Sequence, residues 1–256
     1  AGAAVATVIA QGFSALYCLL VLRKIRDIRL EKEDFYRQPS MSLRLLKLGT
    51  PLAIQNVIIS VGGLTVQYVI NGFGFLFVAG FTATNKLYGI LEMAAVSYGY
   101  AITTYVGQNL GAKKIDRIKK GYHAALVLDL CFAVLAFLVI ETLHTQISSL
   151  FLGKDGTAFA YQVSGDYMRW IGYFFIFMGI KMATDGVLRG LGIMRPFLVA
   201  NIVNLAIRLS VALICAPRFG IAFVWLAVPV GWLANFLISY VALRRSWPTD
   251  KMASIS

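Results

Sequence analysis

The sequence predicts an all-α integral membrane protein of about seven transmembrane helices, and three observations predict it. Of its 256 residues, 59% are hydrophobic and only 14% are charged, against roughly 45–50% and 25% in water-soluble domains. Seven continuous apolar stretches each approach the roughly 20 residues needed to cross a hydrocarbon core about 30 Å thick. The polar connections between them alternate in charge, basic on one side and nearly uncharged on the other. The same composition, with only three Cys, excludes a disordered region, a disulfide-rich secreted scaffold and a fibre.

In chain order the spans fall at about 1 to 22, 50 to 71, 78 to 106, 122 to 143, 166 to 188, 196 to 216 and 220 to 243. The first begins at Ala1 inside an apolar run and carries its basic residues after that run, the opposite polarity to a signal peptide. It reads as an orphan helix belonging to a lobe that precedes it. Residues 23 to 49 read as a basic cytoplasmic linker, mixed in charge through RKIRDIRLEKEDFYRQPS and ending in an amphipathic SLRLLKL set along the membrane surface. The spans from 50 to 243 read as one six-helix unit, and residues 244 to 256 as a cytoplasmic tail. A β-barrel is excluded because the segments are continuously apolar and do not alternate residue by residue, and Gly62-Gly63 suits close helix packing.

Charge gives the orientation. The linker, residues 107 to 121, the Arg189–Arg195 turn and the tail together hold eighteen Lys and Arg; the intervening loops hold only Lys154 and Arg218. The positive-inside rule then puts the N-terminus outside and the C-terminus in the cytoplasm of a multi-pass cell-membrane protein. The net charge of +12 is thus topological, and nucleic acid is not among the expected partners.

Enzyme chemistry has no foothold in these residues. Cys18, Cys131 and Cys215 stand singly within spans and His123 and His144 lie far apart, so no metal-ligand spacing exists. There is no HExxH, GxSxG or P-loop, and the glycines of GVLRGLG follow a membrane helix, not a strand. No cofactor is expected. A retinal protein would need a lysine in the last span, which has none. A seven-helix receptor of the common animal type would carry Asp-Arg-Tyr where Tyr105-Val106-Gly107-Gln108 stands.

The informative residues are ionisable groups at membrane depth, which are costly and therefore paired or functional. Lys86 and Glu92 lie in the third span, Asp129 in the fourth, Lys181 and Asp185 in the fifth and Arg208 in the sixth. Lys181, Asp185 and Arg189 share a face at i, i+4, i+8, which predicts local neutralisation of Asp185. Thr82, Asn85, Gly89, Glu92, Val96, Gly99 and Thr103 form one stripe of the third span, readable either as a cavity lining or as a close helix contact. Asn201, Asn204 and Arg208 share a face of the sixth span, and Gln55, Asn56 and Gln67 make the second span polar as well. Glu92 is the carboxylate without a cationic neighbour on its own helix; it reads as a candidate for a coupling ion or a cationic substrate, or as a static partner of Arg208 or Lys181. Aromatics near these groups, Tyr68, Tyr88, Tyr98, Trp170, Tyr173, Phe174 and Phe177, offer ring faces to an organic cation.

From Leu43 to Arg117 the chain reads LLKLGTPLAIQN, VQYVINGFG, VAGFTATNK and YVGQNLGAKKIDRIKKG, and VLRGLGIMRPF follows at Val187–Phe197. These segments resemble the multidrug and toxic compound extrusion (MATE) transporters, and VGQNLGA, read as a helix stop at Gly107 to Gly111, is the specific block. The resemblance covers essentially the whole chain but only the second half of the family, with the first span looking like the last helix of the first lobe. It implies twelve helices in two six-helix lobes, exporting organic cations or drugs in exchange for H+ or Na+ by alternating access. The first lobe would be the missing partner. One branch of the family carries an acidic residue on the helix matching residues 50 to 71, which here holds no Asp or Glu, so that site is not carried over and the coupling ion stays open. A flippase for lipids or polysaccharide precursors is the alternative within the related fold.

Overall fold

The computed structural model describes residues 2–25, 36, 38–153 and 156–247, and divides into two compact units, 1–46 and 47–256. Ala1, residues 26–35, Arg37, Lys154, Asp155 and the tail from Pro248, Lys251 included, lie outside the described residues. Helix α1 (Gly2–Leu22) lies in the first unit, and α2 (Pro39–Asn71) enters the second. The second unit continues with α3 (Phe75–Gly111), α4 (Ile115–Leu152), α5 (Ala158–Gly190), α6 (Met194–Phe219) and α7 (Ala222–Arg245).

The seven helices match the seven expected spans in number and order, but those from α2 to α6 are longer. Helix α4 has 38 residues where the apolar stretch covers only 122 to 143, because an apolar count stops where hydrocarbon stops and the backbone ladder does not. The amphipathic SLRLLKL is likewise no separate surface element. It forms the first turns of α2, which runs on through Pro51. Six of the helices are long and apolar enough to cross a membrane; the exception is α3, whose Asn85, Lys86 and Glu92 lower its hydropathy.

Helix α5 is the centre of the second unit, packed on α3, α4 and α7, and it is buried continuously from Lys181 to Leu188. Missing side chains permit the closest of these contacts. A Cβ on Gly186 would stand 2.5 Å from the Gly99 carbonyl oxygen of α3, and one on Gly190 would stand 2.7 Å from that of Thr103. Thr103 seals the same seam by donating its hydroxyl to the carbonyls of Gly99 (2.7 Å) and Gly186 (3.1 Å).

Two turns at the basic end share one geometry. After α3 the Lys114 amide donates to Asn109 O (2.8 Å) around a left-handed Lys113 (φ 58°); after α5 the Ile193 amide donates to Leu188 O (2.9 Å) around Gly192 (φ 73°). Both are 6→1 helix terminations of the Schellman kind. Helix α3 ends at Gly111, the last residue of the Gly107–Gly111 stop read from the VGQNLGA block, and the residue that reverses the chain is Lys113. At the other end of the unit, α6 widens into a π-helical turn at Val211–Cys215 just ahead of Pro217, with Ala216 N donating to Val211 O. Proline lacks the amide for an i−4 bond and its ring crowds that carbonyl, so the wider turn relieves both conflicts.

Candidate functional site

Two clusters of charged and polar side chains form inside the second unit. The first centres on Asp185, whose carboxylate accepts donors from three helices. Lys181 Nζ lies 3.2 Å from Oδ2, one turn back on α5; Ser239 Oγ of α7 donates to Oδ1 at 2.7 Å; Asn201 Nδ2 of α6 reaches Oδ2 at 3.4 Å. Gln55 of α2 extends the chain by donating to Asn201 Oδ1 at 3.3 Å. All five side chains are buried. A carboxylate this far from water is tolerable only when paired and hydrogen-bonded, and here it is both.

The second group centres on Glu92, which is half-buried on α3. Its one hydrogen bond among the described residues is long, 3.4 Å from the Tyr88 hydroxyl. Arg208 and, more weakly, Lys181 act on its carboxylate through space, yet among the described residues neither forms an ion pair with it within 4 Å. The Tyr88 ring stacks on Trp232 of α7 at 6.3 Å. One heptad nearer the start of each helix, Phe81 stacks on Trp225 at 6.0 Å, and Tyr167 of α5 lies 4.1 Å from the same indole. Helices α3 and α7 are thus bridged by a ladder of rings that leads down to a carboxylate.

The other candidates are placed as follows. Asn204 is buried next to the Cα of Gly231 with its Oδ1 unpartnered, and Arg208 packs against the same glycine and against Gly62. Asn85 is half-buried, whereas Lys86 and Asn56 are exposed and Gln67 bonds only its own helix, at Asn71. Arg189 does not join Asp185 in an ion pair. Its guanidinium lies over the rings of Tyr100 (5.0 Å) and Phe197 (5.8 Å), because the face it shares with Asp185 turns toward α3 and α6 at that level. In the polar stripe of α3, Gly99 and Thr103 are in close helix contact with α5, while Gly89 is exposed with nothing within 4 Å of its Cβ position.

Several contributors escape sequence reasoning. Ser239 and Asn235, one turn apart in an apolar span, carry the same signal as Asn201 and could have been found by it. A buried hydroxyl cluster, Thr84, Ser148 and Ser164, joins α3, α4 and α5 with separations of 3.0 and 3.1 Å; no spacing rule marks it. Of the aromatics singled out, Tyr68 and Tyr173 are exposed and Tyr88 joins the ring ladder, whose other members, Phe81, Tyr167, Trp225 and Trp232, are not among them. Among the described residues no group of three His, Cys, Asp or Glu is placed to hold a metal ion.

A MatE family profile matches residues 51–214, which include Glu92, Asp185 and Arg208. The chain belongs to the MatE family. It is 28% identical over 205 residues to the probable multidrug resistance protein YpnP of Bacillus subtilis, covering 80% of this chain and 45% of that protein. To the probable multidrug resistance protein YoeA of the same organism it is 23% identical, covering 99% and 56%. Among solved structures, a MATE transporter in the bent conformation superposes with a TM-score of 0.84 at 18% identity, covering all of this chain and 57% of the other. The Vibrio cholerae MATE transporter VcmN in its bent form gives 0.82 at 20% identity, covering 98% and 57%. The chain therefore spans about half the length of the MatE relatives it matches. The MatE family consists of transporters and not enzymes, and it accounts for the fold from α2 to the π turn of α6. Asn235 and Ser239 lie beyond the matched MatE region.

Proposed function

We propose that this chain supplies the second lobe, together with the helix preceding it, of a secondary antiporter that exports organic cations or other xenobiotics in exchange for H+ or Na+ by alternating access. Coverage of about half of each relative supports a partner lobe. The observation that carries the reading is Glu92. Its carboxylate has no ion pair within 4 Å among the described residues, it sits midway along α3, and the stacked rings of Tyr88 and Trp232 lie beside it. A carboxylate next to aromatic faces attracts an organic cation by charge and by cation–π contact, and transporters bind substrate near mid-membrane, between rocking lobes. Arg208 acts on the same carboxylate through space without an ion pair to it within 4 Å.

The basic helix ends support an orientation with the N-terminus of this segment outside and its C-terminus in the cytoplasm, in a cell membrane. The test is a pair of accumulation assays. Cells making the complete protein should retain less of a fluorescent organic cation than control cells, and cells making this chain alone should not, because one lobe cannot alternate access. Equal retention with and without the complete protein would remove the export reading.

A further inference from the structure

The ends of α4 and α7 enclose a hollow that the transport reading does not use. A cavity of about 350 Å³ lies between them, at the lower end of the range for ligand pockets. Lys119 and His123 of α4 and Arg244 of α7 line it, together with Tyr240, Leu243 and Trp247. Arg244 is held in place: its Nε donates to the Tyr240 hydroxyl at 3.0 Å and its guanidinium lies over that ring at 5.3 Å. Among the described residues, no carboxylate lies within 4 Å of Lys119 or Arg244. Three basic side chains from two helices thus converge on a hollow that no carboxylate among the described residues neutralises.

Its surroundings select the kind of anion. The pocket sits where two apolar spans give way to basic ends, with Tyr and Trp beside it, the arrangement that marks headgroup depth. Exposed apolar side chains continue toward the membrane centre along α4, Val127 one turn and Leu130 two turns beyond His123. A free phosphate would have no use for that apolar track, whereas acyl chains would lie along it. We infer that the pocket binds the headgroup phosphate of an anionic phospholipid from the leaflet that these basic ends face.

The test measures lipid retained on the complete protein after reconstitution in vesicles of about four parts phosphatidylcholine to one of phosphatidylglycerol. Native mass spectrometry should show phosphatidylglycerol kept in preference to phosphatidylcholine. Lys119→Gln with Arg244→Gln should reduce that retention about tenfold. His123→Glu should also reduce it, by placing a negative charge at the same mouth. All three residues are exposed, so these changes leave the core intact. Lys113→Gln with Lys114→Gln removes equal charge from the same end outside the pocket and should leave retention unchanged. Equal loss in that control would reduce the effect to general surface charge and overturn the proposal. So would displacement of the lipid by inorganic phosphate alone, which would mark a free-anion site, or retention without headgroup preference.

Discussion

Lys181 and Asp185 face one another across one turn of α5, Nζ 3.2 Å from Oδ2, and their side chains are 3% and 0% exposed. Removing either partner leaves an uncompensated charge in the interior, which costs about 3–5 kcal/mol, while replacing both with apolar groups of similar size is often neutral. Asp185→Asn and Lys181→Met should each lower the melting temperature of the complete protein in detergent strongly. The double variant Lys181→Met/Asp185→Leu should lose far less than the sum of the two single losses. Additive losses would show that the two residues act separately.

The α3–α5 seam gives a second stability test. Gly186→Ala would drive a methyl group against the Gly99 carbonyl oxygen and the Ile102 side chain, and backbone cannot yield as a side-chain tip can. Overpacking of this kind costs roughly 1–3 kcal/mol. Gly63→Ala meets nothing within 4 Å and should be neutral or slightly stabilising, since alanine favours helix. Comparing the two melting temperatures checks the prediction, and equal behaviour would contradict the close approach.

The parts of this architecture that are legible in the sequence follow from its solvent. In a membrane, apolar runs mark helices and polar residues within them stand out, so Gln55, Asn201 and the Lys181–Asp185 pair can be named from spacing alone. Partners from other helices cannot. Arg189 shares a face with Asp185, yet it lies over Phe197 because α6 crosses there, a fact of packing that no single-helix periodicity contains. The ring ladder is obscure for the same reason: Phe, Tyr and Trp are common throughout these spans, and only the meeting of α3, α5 and α7 separates Trp225 from Tyr173. Helix ends are misjudged where hydropathy falls before hydrogen bonding does, as at both ends of α4.

Asp129 offers a contrast to Asp185. It is 2% exposed, packs against Gly179 of α5, and one of its carboxylate oxygens has no partner. An unpaired buried charge is unfavourable, so the neutral and nearly isosteric Asp129→Asn should change stability by no more than about 1 kcal/mol. Gly179→Ala, by contrast, should destabilise, because its methyl group would stand 3.0 Å from Asp129 Cβ. Thermal melting of both variants tests this, and a large loss in Asp129→Asn would show that the carboxylate itself is bound.

The sharpest functional prediction concerns Glu92, because its environment differs from that of Asp185 in the respect that matters for transport. Asp185 is fully buried and accepts donors from three helices, whereas Glu92 is half-buried, with one long hydrogen bond from Tyr88 and stacked rings beside it. Glutamine keeps the size of glutamate and a carbonyl oxygen to accept from Tyr88, so Glu92→Gln isolates the charge. In the complete transporter it should abolish ion-coupled efflux of an organic cation while leaving membrane insertion and yield intact. Arg208→Gln should act in the opposite sense: with the guanidinium charge gone, the carboxylate attracts a cationic substrate more strongly, and the concentration for half-maximal efflux should fall. Both variants are measured as initial efflux rates across a range of pH and sodium concentration. A normal rate with unchanged pH and sodium dependence in Glu92→Gln would remove this carboxylate from the mechanism, whatever Arg208→Gln does. A normal Glu92→Gln combined with lost efflux in Arg208→Gln would instead move the working charge to α6.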